Sequence, residues 1–357
     1  MEEQKQRILL YHPSAGRVQS IDILRSIALL GIILIHVFPP YIALRQLRNF
    51  DVPLMVFLSG VGLAYSRRSF DDIQSVLLYY WSRIQQILLP TWLFLGLYWG
   101  LMYILTSYVP PSQEVSGYIT LGTYWYVWIM RVFLITALFA PLLPFIRRTF
   151  SAKVIVPCVV VILYLFEVYA PEMNDDWGFY LSMTIPYILI FAFGYVMDSL
   201  SRKVQIIIFI LAAVLYAVFA IRFVYLTGEY QTTQISKYPP RLYYTSYAVM
   251  CIVLLWWGRE WIVRVLTFMR LDKLFAFIGS HSMWIYFWHI IWLKLLEIYN
   301  VAGLMNAGGM PKWLFTYIVV LIGATLTTYL QNLTLQFLFS RCHNKSVNKT
   351  VETLFLR

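Results

Sequence analysis

The feature that most constrains this chain is a succession of apolar runs, most of them about as long as a helix needs to cross the hydrocarbon core of a bilayer, roughly 20 residues. Ten such runs occur, over residues 20–38, 52–66, 84–105, 122–144, 154–170, 179–198, 204–226, 242–258, 274–297 and 312–339. Pro39-Pro40, Pro110-Pro111, Pro171 and Pro239-Pro240 fall between them, where the chain has to leave helical geometry. Only 13% of the 357 residues are charged, about half the share of a soluble domain. A soluble fold of this length would leave much of that apolar surface facing water, whereas lipid accepts it. The expectation is an all-α fold, a polytopic membrane bundle of about ten transmembrane helices.

The positions of the cations give the bundle a direction. Of 28 Lys and Arg, 19 fall on the side shared by both termini if ten runs cross the membrane, and 5 on the other side. The remainder, Arg25, Arg131, Arg222 and Lys294, lie inside runs. The third and fifth connections carry no cation, only Glu114 and then Glu172, Asp175 and Asp176. Lys and Arg accumulate in cytoplasmic loops, so both termini are expected in the cytoplasm. The net charge of +11 is then a topology signal and a contact with membrane lipid, and no nucleic-acid partner is expected. The organisation expected is a cytoplasmic leader over 1–19, a transmembrane domain over 20–340 and a basic cytoplasmic tail over 341–357. The first run follows a polar leader without a small-residue cleavage site, which reads as an uncleaved signal anchor. Three cysteines without CxxC spacing suggest neither a disulfide framework nor a zinc site. The location expected is the plasma (inner) membrane, multi-pass, with no metal.

Ionisable residues inside membrane helices are costly and face a bundle interior or a wet cavity. Those in the runs are Arg25, His36, Arg131, Glu167, Arg222, His289, Lys294 and Glu297. Lys294 and Glu297, three apart, suit a local ion pair. Glu167 suits either an ion pair with Arg131 or proton handling. Arg25 and His36 are set apart by their spacing. Eleven residues make three helical turns plus roughly 20°, so the two side chains share a face, about 16 Å apart along the axis. Arg25 lies toward the cytoplasm and His36 toward the exterior. The structural alternative is a snorkelling arginine and an interfacial histidine. A histidine gains and loses a proton near neutral pH, and a permanent cation suits an anionic, phosphorylated ligand.

Five segments in order resemble acyltransferase family 3. They are Ile21-Asp22-Ile23-Leu24-Arg25-Ser26-Ile27-Ala28 leading to His36; Phe50-Asp51-Val52-Pro53-Leu54 followed by Phe57-Leu58-Ser59-Gly60; Arg83 leading to Pro90; Thr123-Tyr124-Trp125-Tyr126; and Phe277-Ile278-Gly279-Ser280-His281-Ser282-Met283-Trp284-Ile285-Tyr286 closing on His289. Together they cover roughly residues 20–340. The resemblance implies a membrane enzyme that takes an acyl group, commonly acetyl, from cytoplasmic acyl-CoA and passes it to a hydroxyl of a cell-envelope glycan or its lipid-linked precursor. It implies His36 as the catalytic residue, and Arg25 and Arg83 at the acyl donor. The family often carries R-x-x-R at the start of the third helix, but Gln86 stands at the second position here, so Arg67 and Arg68 join the candidate donor site. Some members carry an extra hydrolase-like domain. This chain ends about 17 residues beyond its last run, so either the membrane domain completes the transfer or a glycan-assembly partner does.

With acetyl-CoA as donor substrate, its phosphates would sit at Arg25 and Arg83, and its pantetheine arm, about 15–20 Å long when extended, would span the gap to His36. His36 then acts as general base on the acceptor hydroxyl or carries the acyl group itself. On the acceptor side, the loop Lys237-Tyr238-Pro239-Pro240-Arg241 offers aromatic and cationic groups that suit sugar rings and lipid-linked phosphate. Candidate acceptor-binding residues are Asp51, Trp125, Tyr238, Arg241 and His289. For most single aromatics in a chain with 27 Tyr, an ordinary interfacial belt is the competing explanation. The alternative function is a transporter or exporter without acyl chemistry, which paired inverted repeats would favour; no such symmetry is visible.

Overall fold

The computed structural model describes residues 18–121, 126–169, 176–299, 310–340 and 345–355. The described residues form no strand, only an isolated bridge between Lys237 and Pro240. The helices are α1 (Gln19–His36), α2 (Ile42–Leu47), α3 (Asp51–Ser66), α4 (Ile73–Arg83), α5 (Leu89–Thr106), α6 (Ser112–Ile119), α7 (Trp128–Phe139), α8 (Leu142–Thr149), α9 (Ala152–Tyr169), α10 (Asp176–Val196), α11 (Arg202–Thr227), α12 (Leu242–Phe268), α13 (Asp272–Ser280), α14 (Ser282–Ile298), α15 (Met310–Ser340) and α16 (Lys345–Phe355). The chain is an all-α membrane bundle.

Each of the ten apolar runs falls largely on helix, although 122–125 of the fourth run and residue 170 of the fifth lie outside the described residues. Among the described residues six helical stretches are long and apolar enough to cross a membrane, or eight if each of two bent pairs makes one span. The run 154–170 forms only a shorter apolar helix by that measure. The run 242–258 lies in the 27-residue α12, whose tyrosine-rich start and Arg259, Glu260 and Arg264 lower its hydropathy.

Two runs are not straight helices. α7 and α8 meet at 44°, where Pro141 precedes α8 and cannot donate a backbone hydrogen bond. α13 and α14 meet at 84°, so the run 274–297 is a broken element. Ser280 lies at the break and turns its hydroxyl back onto the Phe277 carbonyl at 2.9 Å, competing with continued helix. A third irregularity follows Arg83: residues Ile84–Leu88 form a π-turn between α4 and α5. Pro90 lacks the N–H that would bond the Gln86 carbonyl, and its ring crowds that carbonyl.

In lipid, helices associate through close packing, and small residues let backbones approach. α3 crosses α10 in this way. A methyl group added at Gly60 would sit 2.0 Å from the Phe191 carbonyl oxygen, and one at Gly194 would sit 2.0 Å from that of Phe57. α13 lies against α1 still more tightly, since a methyl at Gly279 would fall 1.7 Å from the Asp22 oxygen. α1 is the central element, packed against α3, α12, α13, α14 and α15. Its side chains Leu24, Ala28, Leu29 and Ile33 are fully buried.

Candidate functional site

Toward its C-terminal end α1 delivers His36, half-buried, to a wall of α14. His36 Nδ1 lies 2.8 Å from His289 Nε2. The two rings are within 12° of parallel with centroids 5.0 Å apart. With the nitrogens at 2.8 Å, that separation means the rings meet edge to edge in nearly one plane, the geometry of an N–H···N hydrogen bond. His289 is fully buried, and its Nδ1 bonds the Tyr286 carbonyl one turn earlier. The Tyr126 ring stands 4.8 Å from the His36 ring, edge-on, and the Tyr286 hydroxyl donates to the Tyr126 carbonyl. Two histidines 253 positions apart in sequence thus form one centre, framed by two tyrosines.

Beside this centre lies a polar lattice built from residues 46–51, at the end of α2 and the start of α3, and from the segment before α12. Arg48 donates to Asp51 at 2.5 Å, Asn49 at 2.6 Å and Gln234 at 2.9 Å. Asn49 in turn donates to Thr233 at 2.9 Å, and Gln46 accepts from the Thr233 amide at 2.8 Å. Asp51 opens α3, where a carboxylate meets the positive end of the helix, and it accepts from the Val52 amide at 2.7 Å. Lys237 is buried here, its ammonium 5.9, 5.4 and 5.9 Å from the ring centres of Trp128, Tyr238 and Tyr244. Burial among these rings, with Arg48 nearby and Asp51 opposing, pushes the Lys237 ammonium down to about 7. Both Arg48 and Lys237 lie within electrostatic reach of His36.

Tyr126 also lines a cavity of about 690 Å³, together with Tyr98, Glu114, Tyr118, Lys294 and Glu297 among others. Lys294 and Glu297 form an ion pair of 2.7 Å on its wall. Glu114 accepts from the Tyr108 hydroxyl. Tyr126 is therefore shared between the cavity and the histidine pair, and hydroxyl and carboxylate groups face whatever enters.

At the other end of α1, Arg25 pairs with Asp22 at 3.1 Å. Arg83 and Arg68 both sit over the Tyr79 ring, at 5.2 and 5.6 Å, and the charges of Arg25 and Arg68 act on Arg83. The Arg83 Nε is buried without a hydrogen-bond partner among the described residues, a donor of a kind that folded proteins almost always satisfy. Arg67 faces a separate cavity of about 590 Å³, together with Arg147 and Asp198. α16 packs against the π-turn and α5, and the Trp284 indole donates to the Leu354 carbonyl at 2.9 Å.

Among the residues singled out from sequence, His36 and His289 come together directly, with Asp51 close by through Arg48. Arg25, Arg68 and Arg83 gather at the opposite end of α1. Arg241 lies elsewhere, bonded to Glu167 at 2.7 Å, and Glu167 also accepts from the Leu242 amide at 2.9 Å. Glu167 is thus a partner of Arg241, not of Arg131, and caps the start of α12. Tyr238 is 48% exposed and packs edge-on to Trp128 at 5.6 Å. Trp125 lies outside the described residues. Sequence reasoning gave no role to Arg48, quoted Asp22, Tyr126 and Tyr286 only as parts of the family-like segments, and named Lys237 only within the acceptor-side loop. The one local signal among them was the three-residue spacing of Arg48 and Asp51, and of Asp22 and Arg25.

A family model described as an acyltransferase domain matches residues 18–329. No curated protein and no solved structure matches the chain.

Proposed function

Since the chain belongs to acyltransferase family 3, and is thus a membrane acyltransferase, we propose that it moves an acyl group, acetyl in the first instance, from acyl-CoA to a hydroxyl of a cell-envelope glycan or lipid-linked saccharide. The carrying observation is the division of α1: a half-buried histidine bonded to a second histidine toward one end, and a cluster of three arginines about the other. The cluster suits the phosphates of coenzyme A, which bind guanidinium groups through charge-assisted hydrogen bonds. The orphaned Arg83 Nε is a donor such a phosphate would satisfy. Arg68, over the same Tyr79 ring as Arg83, supplies the second cation that Gln86 does not. The charge distribution of the loops supports a cytoplasmic position for this end.

The acceptor approaches through the cavity that Tyr126 lines, whose hydroxyl-rich wall suits a saccharide. His36 removes the proton of the acceptor hydroxyl as its oxygen attacks the thioester carbonyl carbon. The carbon–sulfur bond then breaks, and the coenzyme A thiolate takes the proton back from His36. The products are the ester and coenzyme A thiol, and the imidazole returns neutral.

The test is in two parts. Purified protein should bind acetyl-CoA, and Arg25→Ala should weaken that binding. Mass spectrometry of envelope glycans from cells carrying wild-type or His36→Ala protein should show an acyl group present only with the wild type. An identical acyl pattern in both strains, or no acyl-CoA binding at millimolar concentration, would overturn the reading.

A further inference from the structure

The bonds around His289 determine which nitrogen of His36 is available to an acceptor. His289 Nδ1 faces the Tyr286 carbonyl, and a carbonyl only accepts, so Nδ1 carries the ring proton. His289 is fully buried, and among the described residues its ring nitrogens bond His36 and the Tyr286 carbonyl and no carboxylate. A buried charge without a partner is strongly disfavoured, so His289 holds that one proton and its Nε2 presents a lone pair. His36 Nδ1 lies 2.8 Å from that lone pair and is therefore the donor. In a neutral imidazole only one nitrogen bears hydrogen, which leaves His36 Nε2 unprotonated.

We infer that His289 is a positioning residue: the chain Tyr286 carbonyl–His289–His36 holds His36 in the tautomer whose Nε2 is the proton acceptor, and orients that ring toward Tyr126. The inference rests on the acyl-transfer reading for its consequence, though the tautomer follows from the geometry alone. Proton abstraction by Nε2 places a positive charge on His36. The Nδ1–H bond to His289 strengthens as that charge forms, because a donor on a cation binds more tightly than one on a neutral ring. When the leaving thiolate takes the Nε2 proton, the starting tautomer is restored without rotation of either ring. His289 touches neither substrate, and it acts only through His36.

Selective ¹⁵N labelling of the five histidines in protein held in lipid nanodiscs tests this. The His36 signals are assigned by their loss in His36→Gln. Wild-type protein should show His36 with a protonated Nδ1 and a bare Nε2. His289→Leu removes the acceptor and should mix the two tautomers. It should also lower kcat by about 100-fold or more, the scale of a general base, with KM for acyl-CoA unchanged. His289→Gln places a carbonyl oxygen near the position of Nε2 and should recover most of the lost kcat along with the wild-type tautomer. A wild-type spectrum with hydrogen on His36 Nε2 would overturn the inference, as would wild-type kcat in His289→Leu. If the wild-type protein transfers no acyl group, the reaction assigned above fails, while the spectrum still decides the histidine pair.

Discussion

Arg48 and Asp51 form an ion pair of 2.5 Å in which the side chains are 4% and 0% exposed. The pair pins the start of α3 against α1, where a methyl at Gly31 would stand 3.1 Å from the Asp51 Cβ. Two charges removed from water are costly, and their attraction offsets that cost only while both are present. Arg48→Met or Asp51→Leu alone should destabilise the protein by about 3–5 kcal/mol, because each leaves the other charge buried without its partner. The double replacement Arg48→Met with Asp51→Leu should cost clearly less than the sum of the two single changes. Thermal unfolding of the four proteins in one detergent checks this, and additive losses would show that the pair is not coupled.

The arginine cluster at the other end of α1 makes a separate prediction about binding. Arg83→Gln removes a charge whose Nε has no hydrogen-bond partner among the described residues, and gives up its contact with the Tyr79 ring. A hydrogen bond to a charged group contributes about 1.5–3 kcal/mol, which corresponds to roughly a 10- to 150-fold change in Kd. Acyl-CoA binding should weaken by that factor in Arg83→Gln and stay unchanged in His36→Ala. Titration calorimetry at two salt concentrations measures both, and a weakening common to the two variants would contradict the separation of binding from chemistry along α1.

Most of the helices were legible in the sequence because a membrane helix announces itself locally, through about 20 apolar residues in a row. Residues 46–49 bond Thr233 and Gln234, so the connections before α3 and before α12 meet at one end of the bundle. The spacing of Arg25 and His36 was equally local. The partner of His36 was not, since His289 lies 253 residues away on an element that the apolar run suggested was straight. The break at 84° depends on Ser280 and on Gly279 seating against α1, which no periodicity reports. Lys237 looked like a surface loop cation, because only tertiary packing brings Trp128 against it and folds the neighbouring Tyr238 and Tyr244 around its ammonium.

Gly279 sets how closely α13 approaches α1, and its substitution should show it. The methyl of Gly279→Ala would meet backbone, the Asp22 oxygen at 1.7 Å, and backbone cannot turn aside as a side chain can. Overpacking of this kind costs about 1–3 kcal/mol or more. Gly258→Ala makes the control, since nothing lies within 4 Å of the added methyl. Gly279→Ala should lower the Tm by several degrees relative to Gly258→Ala. Equal melting points would mean that the helices separate without cost.

The last prediction concerns pH and Lys237. Its ammonium titrates near 7 in the folded protein, against 10.5 for the unperturbed group, with burial as the main cause. Between these values the unfolded chain keeps the proton on Lys237 and the folded protein has released it. The unfolded state then binds more protons, so stability rises with pH across that window. Below about 7 both states are protonated, and the cost of burying the charge is present in full. Lys237→Met keeps the aromatic contacts of an unbranched chain and removes the titration. The Tm of wild type minus that of Lys237→Met should therefore be lowest at pH 6 and should climb steadily from pH 7 to pH 10. Using the difference cancels every other group that titrates in both proteins. A flat difference would place the Lys237 ammonium in contact with water, and a falling one would mean that an anion holds it charged.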